Sequence, residues 1–215
     1  MIRVLHRLRE DNSGLAMLEF AFTLPVLVVL AMTGAELTNY VTVRMRMSQI
    51  ALQVADNAAR MGTSVAYGAK TVSESDINDV FIGSQLQSTG LDIGTNGRII
   101  LSDVEPTAAN ATTYKIGWQR CYGNQTGHAS TYGTVASGPT PGPGMGPTGS
   151  QVTAMSGSAT MFVEVYYKYQ PLLKASWAPS YTMTEVASMA VRDNRDLTGG
   201  NNGVYPVNGV TASTC

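Results

Sequence analysis

From Leu15 to Ala35 the chain runs through 21 residues whose only ionisable side chain is Glu19. That length matches the roughly 20 apolar residues an α-helix needs to cross the hydrocarbon of a bilayer. A carboxylate in such a span costs roughly 2.5–3.5 kcal/mol at the bilayer centre and less toward its edge. A helix that only anchors has no use for that charge, so Glu19 calls for a partner. Pro25 is the one strong helix breaker in the run. It lacks a backbone donor and crowds the carbonyl four residues earlier, which predicts a kink or a locally melted turn. Membrane helices tolerate this where neighbours re-satisfy the backbone.

The charge pattern around the run sets an orientation. Arg3, Arg7 and Arg9 precede it, which places the N-terminal side in the cytoplasm by the positive-inside rule. Arg44 and Arg46 follow it and weaken the asymmetry. Over the whole chain, charged residues are 13%, against roughly 25% in soluble domains. Gly, Ser, Thr, Ala and Asn take their place, a composition that fits an exported protein. A net charge of −1 supplies no broad basic field, so nucleic acid is not an expected partner.

Cys121 and Cys215 form no C-x-x-C pair, and His6 and His128 are too scattered to complete a zinc site with them. Outside the cytoplasm the two cysteines read as a disulfide that joins the chain end to the domain. It would tie down the segment Gly199-Gly200-Asn201-Asn202-Gly203; two free thiols are the alternative.

Residues 1–14 form a basic leader, and 15–35 the span. The helix need not stop at the membrane edge. Tyr40, Val43, Met47, Ile50, Val54, Ala58 and Met61 recur at steps of three and four, with Arg44, Arg46, Gln49, Gln53, Asp56 and Arg60 largely off that stripe. The pattern predicts an amphipathic continuation over 36–62, ending near Gly62, and a rod of roughly 70 Å from Leu15. A second, shorter helix is expected from a cap at Ser73 or Ser75, with Ile77, Val80, Phe81 and Ser84 inward and Gly90 as its end.

After Gly90 the period changes to two. Alternation over Arg98–Glu105, Thr112–Gln119, Ala159–Gln170 and Tyr181–Arg192 predicts four strands, with Tyr114, Ile116 and Trp118 sharing a face of the second. The expected fold is α+β: a long N-terminal transmembrane and amphipathic helix packed on one face of a small antiparallel sheet of about four strands, with one extra short helix. The folded domain covers 63–198, with 199–215 as a tail. Within the domain, Gly133–Ser150 is so rich in Gly and Pro that it reads as a mobile surface loop.

The chain carries no G-x-S-x-G, H-E-x-x-H, phosphate-binding Gly-Lys loop or dinucleotide fingerprint. Gly94-Thr95-Asn96-Gly97 reads as a turn, since it lacks a Lys. Glu164 and Glu185 read as surface charges on a sheet. His128 has no evident partner, and Tyr166, Tyr167 and Tyr169 follow from strand alternation. The expectation is a non-enzyme with no cofactor, no metal and no small-molecule substrate.

The N-terminal region resembles the TadE-like family, the minor pilins or pseudopilins of the bacterial tight-adherence (Flp-type) pilus machinery. The resemblance rests on Asn12-Ser13-Gly14, Leu15-Ala16-Met17-Leu18-Glu19-Phe20-Ala21, Leu24-Pro25-Val26-Leu27, Gly34-Ala35-Glu36 and Asp56-Asn57-Ala58-Ala59-Arg60. The segment Val163-Glu164-Val165-Tyr166-Tyr167-Lys168-Tyr169-Gln170-Pro171-Leu172 is similar as well. The resemblance implies cleavage by a prepilin peptidase after Gly14 and a mature chain beginning at Leu15. Glu19 and Phe20 then become its fifth and sixth residues, where the major Flp-type pilins carry Glu-Tyr. It further implies partners among other pilin and pseudopilin subunits, with Glu19 meeting the freed amine of a neighbour and Pro25 in the assembling helix. Inner-membrane lipid surrounds the span, and the folded domain is periplasmic or carried into an extracellular pilus. The amine and carboxylate offset each other's desolvation in that arrangement.

Two other readings stay open. An uncleaved anchor carrying a periplasmic interaction domain accounts for the span and the sheet but leaves Glu19 without a role. A secretory signal peptide cut after Thr33-Gly34-Ala35 has Glu19 and the amphipathic continuation against it.

Overall fold

The computed structural model of the chain describes residues 13–64, 66, 68–109, 112–139, 143–172 and 181–215. The basic leader through Asn12, with Arg3, Arg7 and Arg9, lies outside the described residues, as do 140–142 of the Gly/Pro loop. The chain divides into two compact units. One comprises Met1–Thr42 and Pro171–Ala178; the other comprises Val43–Gln170 and Pro179–Cys215.

Helix α1 runs Ser13–Arg60 and contains Pro25 without a break in its assignment. In the first unit its apolar side chains are exposed, from 41% at Leu24 to 79% at Met17. The stretch is long and apolar enough to cross a membrane. Its hydroxyls are satisfied within the helix. Thr23 donates to the Glu19 carbonyl at 3.0 Å, and Thr33, Thr38 and Thr42 each donate to the carbonyl four residues back at 2.8 Å. A helix that presents no unpaired hydroxyl is suited to hydrocarbon, where such a group has no water to turn to. Just past the apolar run, Glu36 Oε2 accepts the Leu172 backbone N–H at 3.0 Å.

In the second unit α1 becomes amphipathic as the stripe predicts. Val43, Met47, Ile50, Val54, Ala58 and Met61 are buried, and so are Ala51, Ala55 and Ala59 beside them. The alanines widen the buried face and allow close approach of the helix backbone. Covering Met47, Ile50 and Val54 is worth about 1.5–3 kcal/mol each. The helix end is held by two cations from distant segments. Arg195 donates to the carbonyls of Ala58, Ala59 and Met61 at 3.1, 3.0 and 3.2 Å, and Lys70 Nζ donates to that of Arg60. Those carbonyls have no intrahelical partner, and positive charge is favoured at that end of the helix dipole. Gly62 follows at φ +105°; a Cβ there would meet the Thr71 carbonyl oxygen at 2.5 Å.

Strand β1 (Val72–Ser73) leads into α2 (Glu74–Gln87). Ser73 and Asp76 form a reciprocal capping box, and Ile77, Val80, Phe81 and Ser84 are buried as expected. The helix ends at Gln87, short of Gly90, which instead supplies a positive φ in the following turn. A helical turn α3 (Ile93–Asn96) precedes β2 (Gly97–Pro106) and β3 (Tyr114–Tyr122). The remaining strands are β4 (Gly133–Thr134), β5 (Gly138–Pro139), β6 (Thr160–Lys168), β7 (Thr182–Ala190) and β8 (Val204–Tyr205). The main sheet is antiparallel with order β3-β2-β6-β7, and β8 pairs parallel with β1. Helix, sheet and short helix make the α+β fold expected from the sequence.

One expectation is extended and two need correction. The sheet packs on helix as expected and is covered on its other face as well, since every residue of β2 from Gly97 to Glu105 is buried. Ile99 and Leu101 lie on the helix side, where Arg120 and Tyr122 of β3 reach α2. Val104, Ile116 and Phe162 lie on the other side and pack with Met145, Tyr132 and Val152 of the long β3–β6 connection. The segment Gly133–Ser150 is therefore not simply a surface loop: Met145 is fully buried and bonds back to Val152 in both directions. Apolar side chains on the second sheet face supply the burial that its Gly and Pro content conceals. Finally, Tyr114, Ile116 and Trp118 do not share one face. Ser102 pairs with Gln119 and Val104 with Ile116, so β3 carries an extra residue opposite Asp103 and the alternation slips.

Replacing Arg195 by Met removes the three bonds to the α1 carbonyls. Chemical denaturation of the full chain in detergent should show a loss on the order of 3 kcal/mol, the scale for breaking a buried charged network.

Candidate functional site

Gly14 and Leu15 occupy the first turn of α1, with Leu15 63% exposed. Glu19 stands one turn further along, followed by the exposed Phe20 and then Pro25. The Glu19 carboxylate makes no hydrogen bond or ion pair within the described residues; only its backbone carbonyl is engaged, by Thr23. The arrangement is a single acid on a helix surface that is otherwise apolar and exposed. Chemically such a group can pair with a cation brought by another molecule.

Cys121 and Cys215 are joined by a disulfide, with Cα atoms 4.8 Å apart and a sequence separation of 94. A cross-link closing so long a loop restricts the unfolded chain and typically adds 2–4 kcal/mol. The tail is tied at further points. Cys121 donates its N–H to the Ser213 carbonyl at 2.8 Å, Asn78 Nδ2 donates to the Thr211 carbonyl at 3.0 Å, and Ser213 Oγ donates to Asn78 Oδ1 at 2.7 Å. Beside the disulfide lies an open cavity of about 400 Å³ lined by Arg98, Ile100, Gln119, His128 and Val135 among others. Arg98 is buried there and donates to the Cys215 carbonyl at 3.3 Å.

Glu164 is not the surface charge expected from the strand pattern. It is 1% exposed and accepts from Ser130 Oγ at 3.0 Å, Thr131 N at 3.1 Å and Thr131 Oγ1 at 2.9 Å. His128 Nε2 lies 3.0 Å from Oε1, the oxygen that also accepts from Thr131 Oγ1, and the imidazole stacks on Tyr166 with centroids 4.0 Å apart. His128 thus has a partner that its loop sequence did not reveal. The carboxylate is saturated by donors from 128–131, so this group fastens the connection to β6. Glu185 lies beside Val165, on the opposite face from Glu164, and binds Arg44 of α1 at 2.7 Å. The two acids form no pair.

A buried acid pair exists elsewhere and was not seen in the sequence. Asp103 and Glu105, two apart on β2, converge where a Cβ on Gly117 would meet Glu105 Oε1 at 2.6 Å and Asp103 Oδ2 at 3.2 Å. Burial pushes the Asp103 carboxyl well above the usual carboxylate range, and the charge of Glu105 and a hydrogen bond to it push in the same direction. Arg195 and Lys115 oppose that shift. Lys115 Nζ lies 3.0 Å from Glu105. The only legible signal was the Asp103-Val104-Glu105 alternation within an apolar strand, together with a glycine in the strand beside it. Asp196 shifts the other way, to about 2, held by Tyr205 OH and by the backbone N–H groups of Thr198 and Gly199.

Among the described residues no group of three or more His, Cys, Asp or Glu side chains could hold a metal ion. Comparison of the chain with models of known protein families, with curated proteins and with solved structures finds no match.

The raised Asp103 carboxyl carries a defined pH signature. Its stabilising contribution is complete below the ordinary carboxyl range and is lost as pH rises through the folded value. Thermal melts from about pH 5 to about pH 9 should show wild type losing stability, and Asp103→Asn, neutral throughout, losing less. Asp196 acts in the opposite sense and matters only as pH falls from the ordinary carboxyl range toward its folded value of about 2.

Proposed function

We propose that this chain is a minor pilin or pseudopilin of the tight-adherence (Flp-type) class, cut after Gly14 and assembled through its N-terminal helix. The observation that carries the reading is Glu19. It stands one turn from Leu15 on an apolar, exposed helix that continues without a break into a half packed on a folded domain. Cleavage before Leu15 creates an amine four residues from the carboxylate. Within one chain the two ends can meet across a helical turn. Between chains, an incoming subunit presents its amine to the Glu19 of a neighbour, and each charge offsets the desolvation of the other.

The rest of the chain supports export of the folded domain. The Cys121–Cys215 disulfide belongs to an oxidising compartment, and Arg3, Arg7 and Arg9 keep the leader in the cytoplasm. The partners in this reading are a prepilin peptidase, lipid of the inner membrane and other subunits of the same pilus. The protein turns over no substrate. An uncleaved anchor bearing a periplasmic domain is the second reading, favoured by the continuity of α1 with the span.

N-terminal sequencing and intact mass of the protein from a native membrane or pilus fraction separate these readings. A start at Leu15 is expected; an intact Met1 identifies an anchor, and a start at Glu36 a signal peptide. Glu19→Ala should insert as well as wild type or better, because it removes a charge from the span, yet abolish pilus assembly. Normal assembly of that variant would refute the pairing argument.

A further inference from the structure

We propose that the open cavity beside the Cys121–Cys215 bridge is a thiol–disulfide exchange site for small thiols that carry a carboxylate. Arg98 receives the carboxylate, and the thiolate of the same molecule attacks Cys215.

The first observation is a buried cation without an acid. Arg98 is 4% exposed and lines the cavity together with both cysteines. A guanidinium keeps its charge even where burial lowers its pKa, as it does here. Other arginines inside this unit have an acid at hand. Arg120 grips both oxygens of Glu74 through Nε and Nη2, and Arg195 Nε lies 3.5 Å from Asp193. Arg98 forms no ion pair among the described residues. Its Nη2 donates to the Cys215 carbonyl at 3.3 Å, and its Nε meets no acceptor. Those two nitrogens form the same edge that holds a carboxylate in Arg120. Glu164 stands two positions along this face of the sheet, opposite Ile100, but Ser130 and Thr131 already engage it. An incoming carboxylate offsets a desolvated charge that the chain leaves uncompensated.

The second observation is the bridge itself. Cys121 is buried on β3 and Cys215 is exposed, so access directs a thiolate to the Cys215 sulfur. Ile100 and Val135 add apolar wall for a short carbon chain, and the volume of about 400 Å³ suits a small molecule. Attack forms a bond from the ligand sulfur to Cys215 Sγ and breaks the Cys121–Cys215 bond. The electron pair leaves on Cys121 as a thiolate: the ligand sulfur is oxidised and Cys121 is reduced. A second equivalent of the same thiol displaces Cys215 as a thiolate and departs as the ligand's own disulfide. The tail is then held by hydrogen bonds to Asn78 and Cys121.

The test follows reduction of the oxidised full chain in detergent by mercaptopropionate and by the uncharged mercaptoethanol. Each rate is divided by the rate of the same thiol with an uncharged small disulfide, which removes intrinsic thiol reactivity. The corrected rate for mercaptopropionate should be about tenfold the higher, the scale of one hydrogen bond to a charged group. Peptide mass mapping should place the mixed disulfide on Cys215. Arg98→Gln should abolish the preference. Propionate, a carboxylate without a thiol, should slow mercaptopropionate in the wild type, an arm that needs no variant. Equal corrected rates in the wild type mean that the chain itself already answers the charge of Arg98, and overturn the site. A preference that survives in Arg98→Gln overturns it as well, because another cation then draws the thiol. An adduct on Cys121, or no effect of propionate, has the same consequence.

Discussion

The second half of α1 buries Met47, Ala51, Val54, Ala55 and Ala58 almost completely, and Arg195 takes the carbonyls at its end. The helix runs unbroken from Ser13 to Arg60, and its large apolar side chains from Leu15 to Val41 are exposed within the described residues. A helix apolar on all sides is stable in water only if something covers it. Protein interior covers the buried face along Val43–Ala59, and the run Leu15–Ala35 is long and apolar enough to cross a membrane. The hydroxyls of Thr23 and Thr33 in that run turn back onto their own backbone, which suits hydrocarbon.

Charge is handled consistently in the interior of the folded unit. Glu164 is surrounded by donors, Glu74 binds Arg120, Arg195 lies against three carbonyls, and Asp103 is favoured in its protonated form. Each arrangement avoids an isolated buried ion, which would cost several kcal/mol. Glu19 breaks that pattern. Within the described residues its carboxylate has no partner, and the large apolar side chains around it are exposed.

The connection between β3 and β6 shows how composition misleads. Its glycines and prolines suggest a segment with nothing to bury, yet it lays Met145 and Tyr132 on Val104, Ile116 and Phe162. The saturated Glu164 carboxylate fastens 128–131 to the sheet through hydrogen bonds. One methionine and a few polar anchors suffice to cover a sheet face, because the face itself supplies the apolar area. The tail is treated similarly. It carries little apolar surface, and the disulfide with the bonds around Asn78 holds it.

Sequence by itself determined what depends on local periodicity and length. The long apolar helix, the stripe from Val43 to Met61, a cap at Ser73 or Ser75, the four long strands and the pairing of the two cysteines were all legible, because each follows from spacing along one segment or from there being only two thiols. Glu19 stood out for the same reason, being a charge set in an apolar run. Tertiary structure alone decided which distant groups meet. Nothing near His128 announces Glu164, nothing near Arg195 announces the end of α1, and the extra residue in β3 appears only when Ser102 and Val104 find their partners. Those contacts depend on strand register and on burial from both faces of a sheet. Both are properties of the folded chain as a whole, and no window of sequence contains them.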